Sequence, residues 1–490
     1  YLSQRVRWQA PVNYRTQDPN DFANTGHVCG TSSAIEISKD EALARVRIIP
    51  AVYVQGGREG KISQYLLREI LLSRLYVFAG SFPLRAIEPV CIESPLNRAL
   101  VREGLSLLAS EGIFKKGKGP GGTRCHLWIE DLDRWRSEAL ARPQLHASRD
   151  RHLAFFARHA EKLGAMMRSD RTEEAFELVQ TDLDNFRGAL EWSLRTGGDP
   201  AAGEPILTGL FRFWHVRTHQ EEGLEWATLA LQRGEDGSDH VAISALGVAG
   251  GLLNSLGRVH EAVEVFTRML RLVKSSGEQT RLAAAHTGRG LAYLHLSKLP
   301  QARSDIVKAI ELSRSTGDLK VLAEALGIYA ELLTFLGEHS AADRALDEAS
   351  LLSLQAGDIW AVGMLEFSRG RNLVAQGKLQ EGETLYREAV QNSLALGDVR
   401  AVALILVSFA HLAVRKEQHR RAAVLVGVSA FAAEVAGIEM PQAELGKLLE
   451  AVHASREALG EEAFEGLRGR GYDMPIESAS RFAADPDAEV

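Results

Sequence analysis

Glycines spaced 40 residues apart constrain the fold of this chain more than any other feature. They stand at Gly197, Gly237, Gly277, Gly317, Gly357, Gly397 and Gly437. A second series lies halfway between them, at Gly257, Ser297, Gly337 and Gly377. Self-similarity at a period of roughly 20–50 residues is typical of a solenoid, in which short structural units stack on one another.

The residues between the glycines repeat as well. A small residue is followed by another small one twelve positions later, then a bulky apolar one, then a small one, as in Gly290, Ala302, Ile306 and Ala309. This order resembles the tetratricopeptide repeat. Small residues allow two antiparallel helices to approach closely, and one helix pair cannot bury its apolar face without a neighbour. We therefore predict a mainly α fold, with tetratricopeptide-like helix pairs over residues 197–440.

The ends of these helices also carry signals. Glycine at a helix end accepts the left-handed conformation that stops the helix. Asp318, Asp358 and Asp398 directly follow such glycines, and aspartate is a favoured N-cap of the next helix. The repeat is therefore predicted to consist of a helix, a turn and a second helix.

Residues 62–141 are predicted to form a small winged-helix-like domain that precedes the solenoid. Helical patterns cover 62–75, 83–91 and 96–110, and two strands at 113–116 and 124–129 flank a glycine-rich turn. A further helix is predicted over 131–141. Linker helices are expected over 145–196, at 149–168, 176–178 and 182–195. A helical capping tail is expected over 441–490, with frayed residues from 478 onward.

Composition sets broad limits on function. The net charge of −7 gives no indication of a nucleic-acid-binding surface over the whole chain. Cys29, Cys91 and Cys125 form neither a disulfide framework nor a metal motif. The chain has no apolar run of about 18 residues and no leader pattern, so a cytoplasmic location is expected. Because it begins with Tyr1, we expect it to be part of a longer protein.

Several segments resemble a family of bacterial regulators when they are taken in order. They are Leu75–Phe82 (LYVFAGSF), Arg151–Phe156 (RHLAFF), Asp184–Trp192 (DNFRGALEW), Phe211–Arg217 (FRFWHVR) and Arg456–Phe464 (REALGEEAF). The family comprises STAND regulators, large NB-ARC-type ATPases related to LuxR-family and AfsR-like transcriptional regulators. The resemblance spans roughly residues 65–485.

The resemblance implies that different domains carry out different functions. In the family a nucleotide-binding domain holds ATP or ADP, a winged helix presses against it, and the repeats sense a signal. This chain has no Walker A lysine motif, no Gly-Leu-Pro-Leu segment and no helix-turn-helix after the tail. The segment Gly56–Ser63 has the wrong spacing for a phosphate-binding loop. Residues 1–61 are interpreted as an irregular segment and a candidate remnant of the nucleotide-binding domain.

We therefore expect a non-enzymatic sensor and protein-interaction module. It would hold no cofactor itself, and ATP or ADP would bind a domain upstream of it. Its partner would be a protein, a peptide or a small signal molecule, with no membrane partner. DNA would be contacted through another domain or weakly through the wing. The alternative is a stand-alone tetratricopeptide scaffold with no nucleotide switch.

The concave face of the solenoid is the main candidate site. First-helix positions predicted to face inward are Asn254, Ser255, His295, Glu331, Thr334, Arg371 and His411. Phe213 and Trp214 form a candidate aromatic site, against the simpler interpretation that they are core. The wing offers four basic residues for phosphate contact, Lys115, Lys116, Lys118 and Arg124.

Two kinds of chemistry are not expected. His215 and His219 have the spacing of a zinc pair, but His219 is predicted to lie beyond the end of its helix. No metal site is therefore predicted. No Ser/His/Asp or Cys/His grouping has a useful spacing, so no catalytic residue is predicted.

Overall fold

The structure, a computed structural model, describes residues 62–129, 136, 140, 143–234, 239–485 and 488. The predictions for residues 1–61 lie outside this range, as does most of the helix predicted over 131–141.

Three helices and a small sheet form the amino-terminal module, residues 62–129. Its helices are α1 (Gln64–Leu75), α2 (Leu84–Cys91) and α3 (Arg98–Ser110), and its strands are β1 (Phe82–Pro83), β2 (Phe114–Gly119) and β3 (Gly122–Leu127). The central strand β3 pairs antiparallel with both others, so that Cys125 lies opposite Phe82 and Leu127 opposite Phe114. The predicted order of helices and hairpin is confirmed.

Over the described residues 143–196, two long helices lie between this module and the repeats. They are α4 (His146–Met166) and α5 (Thr172–Glu191), and α5 continues into a π-helical turn at Trp192–Thr196. The prediction of two separate helices at 176–178 and 182–195 is wrong. The Thr181 hydroxyl donates a hydrogen bond to the carbonyl oxygen of Glu177 at 2.7 Å, and Asp182 accepts one from Arg124 of the amino-terminal module. Because both polar side chains have partners, neither residue interrupts the helix.

Between residues 200 and 436, the residues that the structure describes form twelve solenoid helices in antiparallel pairs. They are α6 (Pro200–Val216), α7 (Gln220–Gly234), α8 (Asp239–Leu256), α9 (Val259–Ser276), α10 (Gln279–His295), α11 (Leu299–Thr316), α12 (Leu319–Phe335), α13 (His339–Gln355), α14 (Ile359–Ala375), α15 (Leu379–Leu396), α16 (Val399–Arg415) and α17 (His419–Ala436). The even-numbered helices are the first members of the pairs. The solenoid predicted from the glycine spacing is confirmed.

The turns between the helices have the predicted backbone conformation. Gly277 and Gly317 have φ of 74° and 73°, and Ser297 adopts φ of 54° at the position where other repeats carry glycine. Asp318 accepts hydrogen bonds from the backbone N–H groups of Lys320 and Val321 at 3.0 and 3.1 Å, as an N-cap does. The repeat therefore retains its turn geometry even where the glycine is absent.

In the pairs α8/α9 and α10/α11, a small residue of the first helix packs against a bulky residue of the second. A Cβ placed on Gly290 would lie 2.7 Å from Cγ1 of Ile306, and one on Gly250 would lie 2.6 Å from the ring of Phe266. Ile306 is fully buried. Such contacts set the close separation of the paired helices, because any larger residue at these positions would push them apart.

A three-helix tail follows the last pair. Its members are α18 (Gln442–Leu459), α19 (Glu461–Tyr472) and α20 (Ile476–Ala484). The prediction that the chain frays from residue 478 is wrong. Arg421 on α17 donates hydrogen bonds to the carbonyl oxygens of Phe482 and Ala483 at 2.9 and 3.0 Å, and these hold α20 in place.

A buried polar cluster joins the amino-terminal module to the linker helices. Asn185 on α5 exchanges hydrogen bonds with both backbone groups of Ala79 at 2.8 and 2.9 Å. Asp182, one turn earlier, accepts from Arg124 at 2.6 Å and lies 3.2 Å from Nε2 of His159. Because Arg124, Asp182 and Asn185 are each at most 4% exposed, we infer that the module and α5 move together.

The solenoid turns back onto its own first helix. Arg212 on α6 forms a two-point ion pair with Asp358 at 2.8 and 2.9 Å, although 146 residues separate them. The backbone N–H of Glu439 donates to the carbonyl oxygen of Leu256 at 2.8 Å. The concave side of the repeats therefore faces an enclosed interior rather than an open groove.

Among the described residues, no helix is both long and apolar enough to cross a membrane.

The contact between α17 and α19 gives a test of the fold. A Cβ on Gly427 would lie 1.9 Å from the carbonyl oxygen of Arg468, which belongs to a backbone that cannot yield easily. We predict that Gly427→Ala lowers the free energy of unfolding by roughly 1–3 kcal/mol, measured from urea denaturation curves.

Gly446→Ala is the matched control. Gly446 lies within α18 and has no atom within 4 Å of an added Cβ, so alanine should stabilise that helix by about 0.5–1 kcal/mol. Equal effects of the two substitutions would show that α17 and α19 do not meet as described.

Candidate functional site

The candidate site is the interior of the solenoid, lined by the first helices of the pairs. The structure places the predicted residues on α8 (Asn254, Ser255), α10 (His295), α12 (Glu331, Thr334), α14 (Arg371) and α16 (His411). These residues divide into two groups, since some join neighbouring helices and others line the interior.

Asn254 and Thr334 hold helices together. The side-chain amide of Asn254 donates to the carbonyl oxygen of Gly288 on the next first helix at 3.0 Å. Thr334 donates to the carbonyl oxygen of Ala330 at 2.9 Å and lies 3.2 Å from the side-chain oxygen of Asn372. Both side chains thus link first helices, although Oδ1 of Asn254 has no hydrogen-bond partner among the described residues, and contact of these two with a ligand stays a prediction.

Ser255 belongs to a network around His215. Ser255 Oγ lies 3.0 Å from the carbonyl oxygen of Gly251, to which it donates, and 2.6 Å from Nδ1 of His215. Nη2 of Arg400, 185 residues further along, lies 3.1 Å from Nε2 of the same ring. Since the guanidinium can only donate, Nε2 must accept, and Nδ1 carries the proton of a neutral imidazole.

The surroundings of His215 hold it in the neutral form. Burial lowers the pKa of His215 well below its ordinary value, and the positive charges of Arg400 and Arg212 lower it further. A second proton on the ring would point at Arg400 and would be both desolvated and repelled. The network therefore joins α6, α8 and α16 only while His215 is uncharged.

Arg371 lies at the centre of a second interior cluster. Its guanidinium donates to Oε1 of Glu444 at 2.7 Å and lies 3.8 Å from Oε1 of Glu331. Nζ of Lys447 is 3.1 and 3.2 Å from the two oxygens of Glu444. Glu444 and Lys447 belong to the tail helix α18, so part of the predicted groove is covered by the chain itself.

The charges around Glu444 favour its ionised form. Burial alone would raise the pKa of Glu444, but the charges of Arg371 and Lys447 outweigh it and lower the pKa to about 2. Burial lowers the pKa of His295, although Glu331 and Glu444 act in the opposite direction. The Glu444 carboxylate therefore stays ionised inside the solenoid.

Two further ionisable side chains, Glu324 and His411, lie on the first helices and have their pKa shifted by the surrounding protein. Burial raises the pKa of Glu324 on α12, although its side chain is accessible from the interior. His411 lies 3.4 Å from Glu450 on α18, and burial lowers the pKa of His411. These charged and imidazole groups offer ion-pairing and hydrogen-bonding partners to a polar ligand.

Sequence analysis missed the residues that come from outside the repeat register. His215 was weighed only as a zinc ligand, and Arg400, Glu444 and Lys447 were not considered. Arg400 stands two residues after the capping Asp398, at a position where other repeats carry Lys320 and Trp360. Only the register of α16 against α6 shows that this position points inward.

The candidate aromatic site is corrected to core. Phe213 and Trp214 are 0% and 1% exposed, and the Phe213 ring packs against Phe176 and His219. His219 lies beyond the end of α6, as predicted, and pairs with Glu222 at 3.1 Å. Within the part of the chain that the structure describes, no group of three or more His, Cys, Asp or Glu side chains could hold a metal.

Three of the four basic residues predicted to contact phosphate are exposed on the hairpin. Lys115, Lys116 and Lys118 are exposed, and Nζ of Lys115 lies 4.6 Å from the ring centre of Trp128. Arg124 is corrected, because it is 4% exposed and binds Asp182 and the carbonyl oxygen of Ser81. Contact of the three lysines with DNA stays a prediction.

The chain is similar in sequence to curated mycobacterial proteins. It is 24% identical over 417 residues to the Putative HTH-type transcriptional regulator Rv0890c of Mycobacterium tuberculosis and, equally, to Mb0914c of Mycobacterium bovis. Each alignment covers 78% of this chain and 46% of the relative. The chain therefore spans about half the length of the curated relatives it matches. No protein-family model matches it.

Solved helical-repeat structures resemble it distantly. RapI in its apo form has a TM-score of 0.41 at 12% identity, over 60% of this chain and 99% of that one. A Rap protein complexed with competence and sporulation factor has 0.42 at 14%, over 67% and 95%. PH0952 of Pyrococcus horikoshii, a STAND protein with a tetratricopeptide repeat sensor, has 0.43 at 12%, over 84% and 68%. Likeness at this level says nothing about function.

The His215 network predicts a loss of stability in acid. Its folded-state pKa lies below the unfolded value of about 6.5, so its contribution is complete above that pH and is lost as the pH falls below it. Each pH unit below about 6.5 lowers the free energy of unfolding by up to about 1.4 kcal/mol per buried neutral histidine. We expect the urea concentration at half unfolding to decrease as the pH is lowered from about 7.5 to about 5.5. The decrease should be less steep in His215→Gln.

The slope should decrease without vanishing, because burial also lowers the pKa of His152, to about 3. His453→Gln is the control, since His453 is exposed on α18 and its loss should leave the slope unchanged. The same slope in His215→Gln as in the unmodified chain would contradict the neutral network.

Proposed function

We propose that this chain is the non-catalytic sensor and interaction module of a STAND-type transcriptional regulator. It would bind a partner protein, a peptide or a small signal in the interior of the solenoid. One observation carries this proposal: charged and imidazole side chains of several first helices lie at least partly exposed on the inner side of the repeats, among them Glu324, Glu331, Arg371 and His411. Similarity to HTH-type regulators, of which the chain covers 46%, supports a place in a longer regulator.

The proposed mechanism is a shift between conformations of the solenoid. A ligand that binds one curvature of the repeats more tightly than another favours that curvature, in proportion to the difference in affinity. The junction of Arg124, Asp182 and Asn185 would carry the change to the amino-terminal module, because its buried hydrogen bonds leave little freedom. A nucleotide-binding domain upstream, with ATP or ADP, would respond to that movement.

The proposal is tested by locating where selected peptides bind. Peptides would be selected from a random phage-displayed library against the chain, and their dissociation constants measured by fluorescence anisotropy. We expect Glu331→Gln to change these constants by about tenfold or more, because Glu331 faces the interior.

Glu348→Gln on α13 is the matched control. Glu348 pairs with the exposed Arg314 at 2.8 Å, on a second helix, and its loss should leave the constants unchanged. Peptides that respond to Glu348→Gln and ignore Glu331→Gln would contradict an interior binding site.

A further inference from the structure

The tail helix α18 lies where a ligand of the interior would lie. It packs against α16 and α17, and its first turn reaches Arg371 on α14. The Glu444 side chain is 7% exposed and is held by Arg371 and Lys447 at 2.7 and 3.1 Å. Glu450, further along α18, approaches His411 on α16 at 3.4 Å. Two of the predicted ligand-binding residues therefore have carboxylates of the chain itself as their partners.

The interface of α18 combines the buried ion pair of Glu444 with apolar contacts, because Leu448, Val452 and Leu459 pack partly buried against the neighbouring core. Its buried side chains are Glu444, Ala451 and Ser455, and only Ala451 is apolar. Leu445 and Leu449 are 41% and 47% exposed on the same helix. A helix held permanently in a core would be expected to bury such leucines. The ion pair of Glu444 therefore adds a charged contact to an apolar one that leaves two leucines half exposed.

The segments on both sides of α18 have anchors of their own, although Arg456 on α18 also pairs with Glu461 and Glu465 on α19 at 2.9 and 3.0 Å. Before it, the backbone N–H of Glu439 binds the carbonyl oxygen of Leu256 at 2.8 Å. After it, α19 packs closely on α17, where a Cβ on Gly471 would lie 2.0 Å from the carbonyl oxygen of Val424. Gly460, with φ of 79°, separates α18 from α19. The helix α18 can therefore leave the interior while the rest of the tail stays in place.

We propose that α18 is an intramolecular occupant of the interior site, and that Glu444 holds the place of a carboxylate on an incoming acidic peptide. This inference rests on the proposed function and names the class of ligand. A helix that lies in a groove formed by other helices is a recurring mode of peptide recognition. An acidic peptide can form an ion pair with Arg371 only after the ion pair between Arg371 and Glu444 has broken. The tail therefore lowers the apparent affinity of the site for the peptide.

Two labelled peptides test the inference. One copies residues 442–459, and the other carries glutamine at the position that copies Glu444. In the full chain with Glu444→Gln, we expect the first peptide to bind about tenfold or more tightly than it binds the unmodified chain. In the same variant, the second peptide should bind about tenfold more weakly than the first.

Variants of the full chain separate the causes. Glu457→Gln, an exposed position on α18, should leave both affinities as in the unmodified chain. Arg371→Gln added to Glu444→Gln should remove the preference for the acidic peptide. Equal binding of the two peptides to the Glu444→Gln chain, or no gain over the unmodified chain, would overturn the inference.

Hydrogen exchange of the unmodified chain gives a result that does not depend on any variant folding. Amides of α18 should exchange faster than those of α17 and α19, because α18 opens by itself. Exchange of α18 only together with α17 would overturn the inference. If library peptides respond to Glu331→Gln while α18 does not open alone, the proposed function stands and this inference fails.

Discussion

Closure of the solenoid on its own first helix determines what the remaining structure can do. A row of helix pairs has a concave side, but that side becomes an enclosed interior only when distant repeats meet. Arg212 binds Asp358, and its guanidinium also lies 4.5 Å from the ring centre of Trp360. Arg400 reaches His215 from the last pair. These contacts turn the polar residues of several first helices toward one shared space.

The interior differs from an ordinary core in its chemistry. Buried charges are costly unless they are paired and hydrogen-bonded, and the interior pairs most of them. The Glu444 carboxylate accepts a hydrogen bond from Arg371 and balances its charge. The neutral ring of His215 accepts a hydrogen bond from Arg400 without adding a charge of its own. Such an arrangement is stable as it stands, yet it can exchange one carboxylate for another.

Local features of the fold could be predicted from the sequence because their causes are local. A capping glycine, an aspartate N-cap and a small residue opposite a bulky one act within a single repeat, as at Gly317, Asp318 and Gly290. The candidate site was predicted only in part. Glu331, Arg371 and His411 do face the interior. In contrast, Phe213 and Trp214 are buried in the core, and Arg124 is buried in an ion pair with Asp182. Closure depends on the small rotation of each repeat relative to the one before it, added over several repeats. The pattern of residues within one repeat does not determine that total rotation.

A double-mutant cycle on Arg212 and Asp358 tests closure most directly. Asp358→Asn keeps an acceptor for the N–H of Ala361, and Arg212→Met keeps much of the side-chain volume. The free energy of unfolding would be measured for the unmodified chain, both single variants and the double variant. Closure predicts a coupling energy of roughly 0.5–3 kcal/mol between these residues. Effects that add to within about 0.3 kcal/mol would contradict it, because residues that do not meet behave independently.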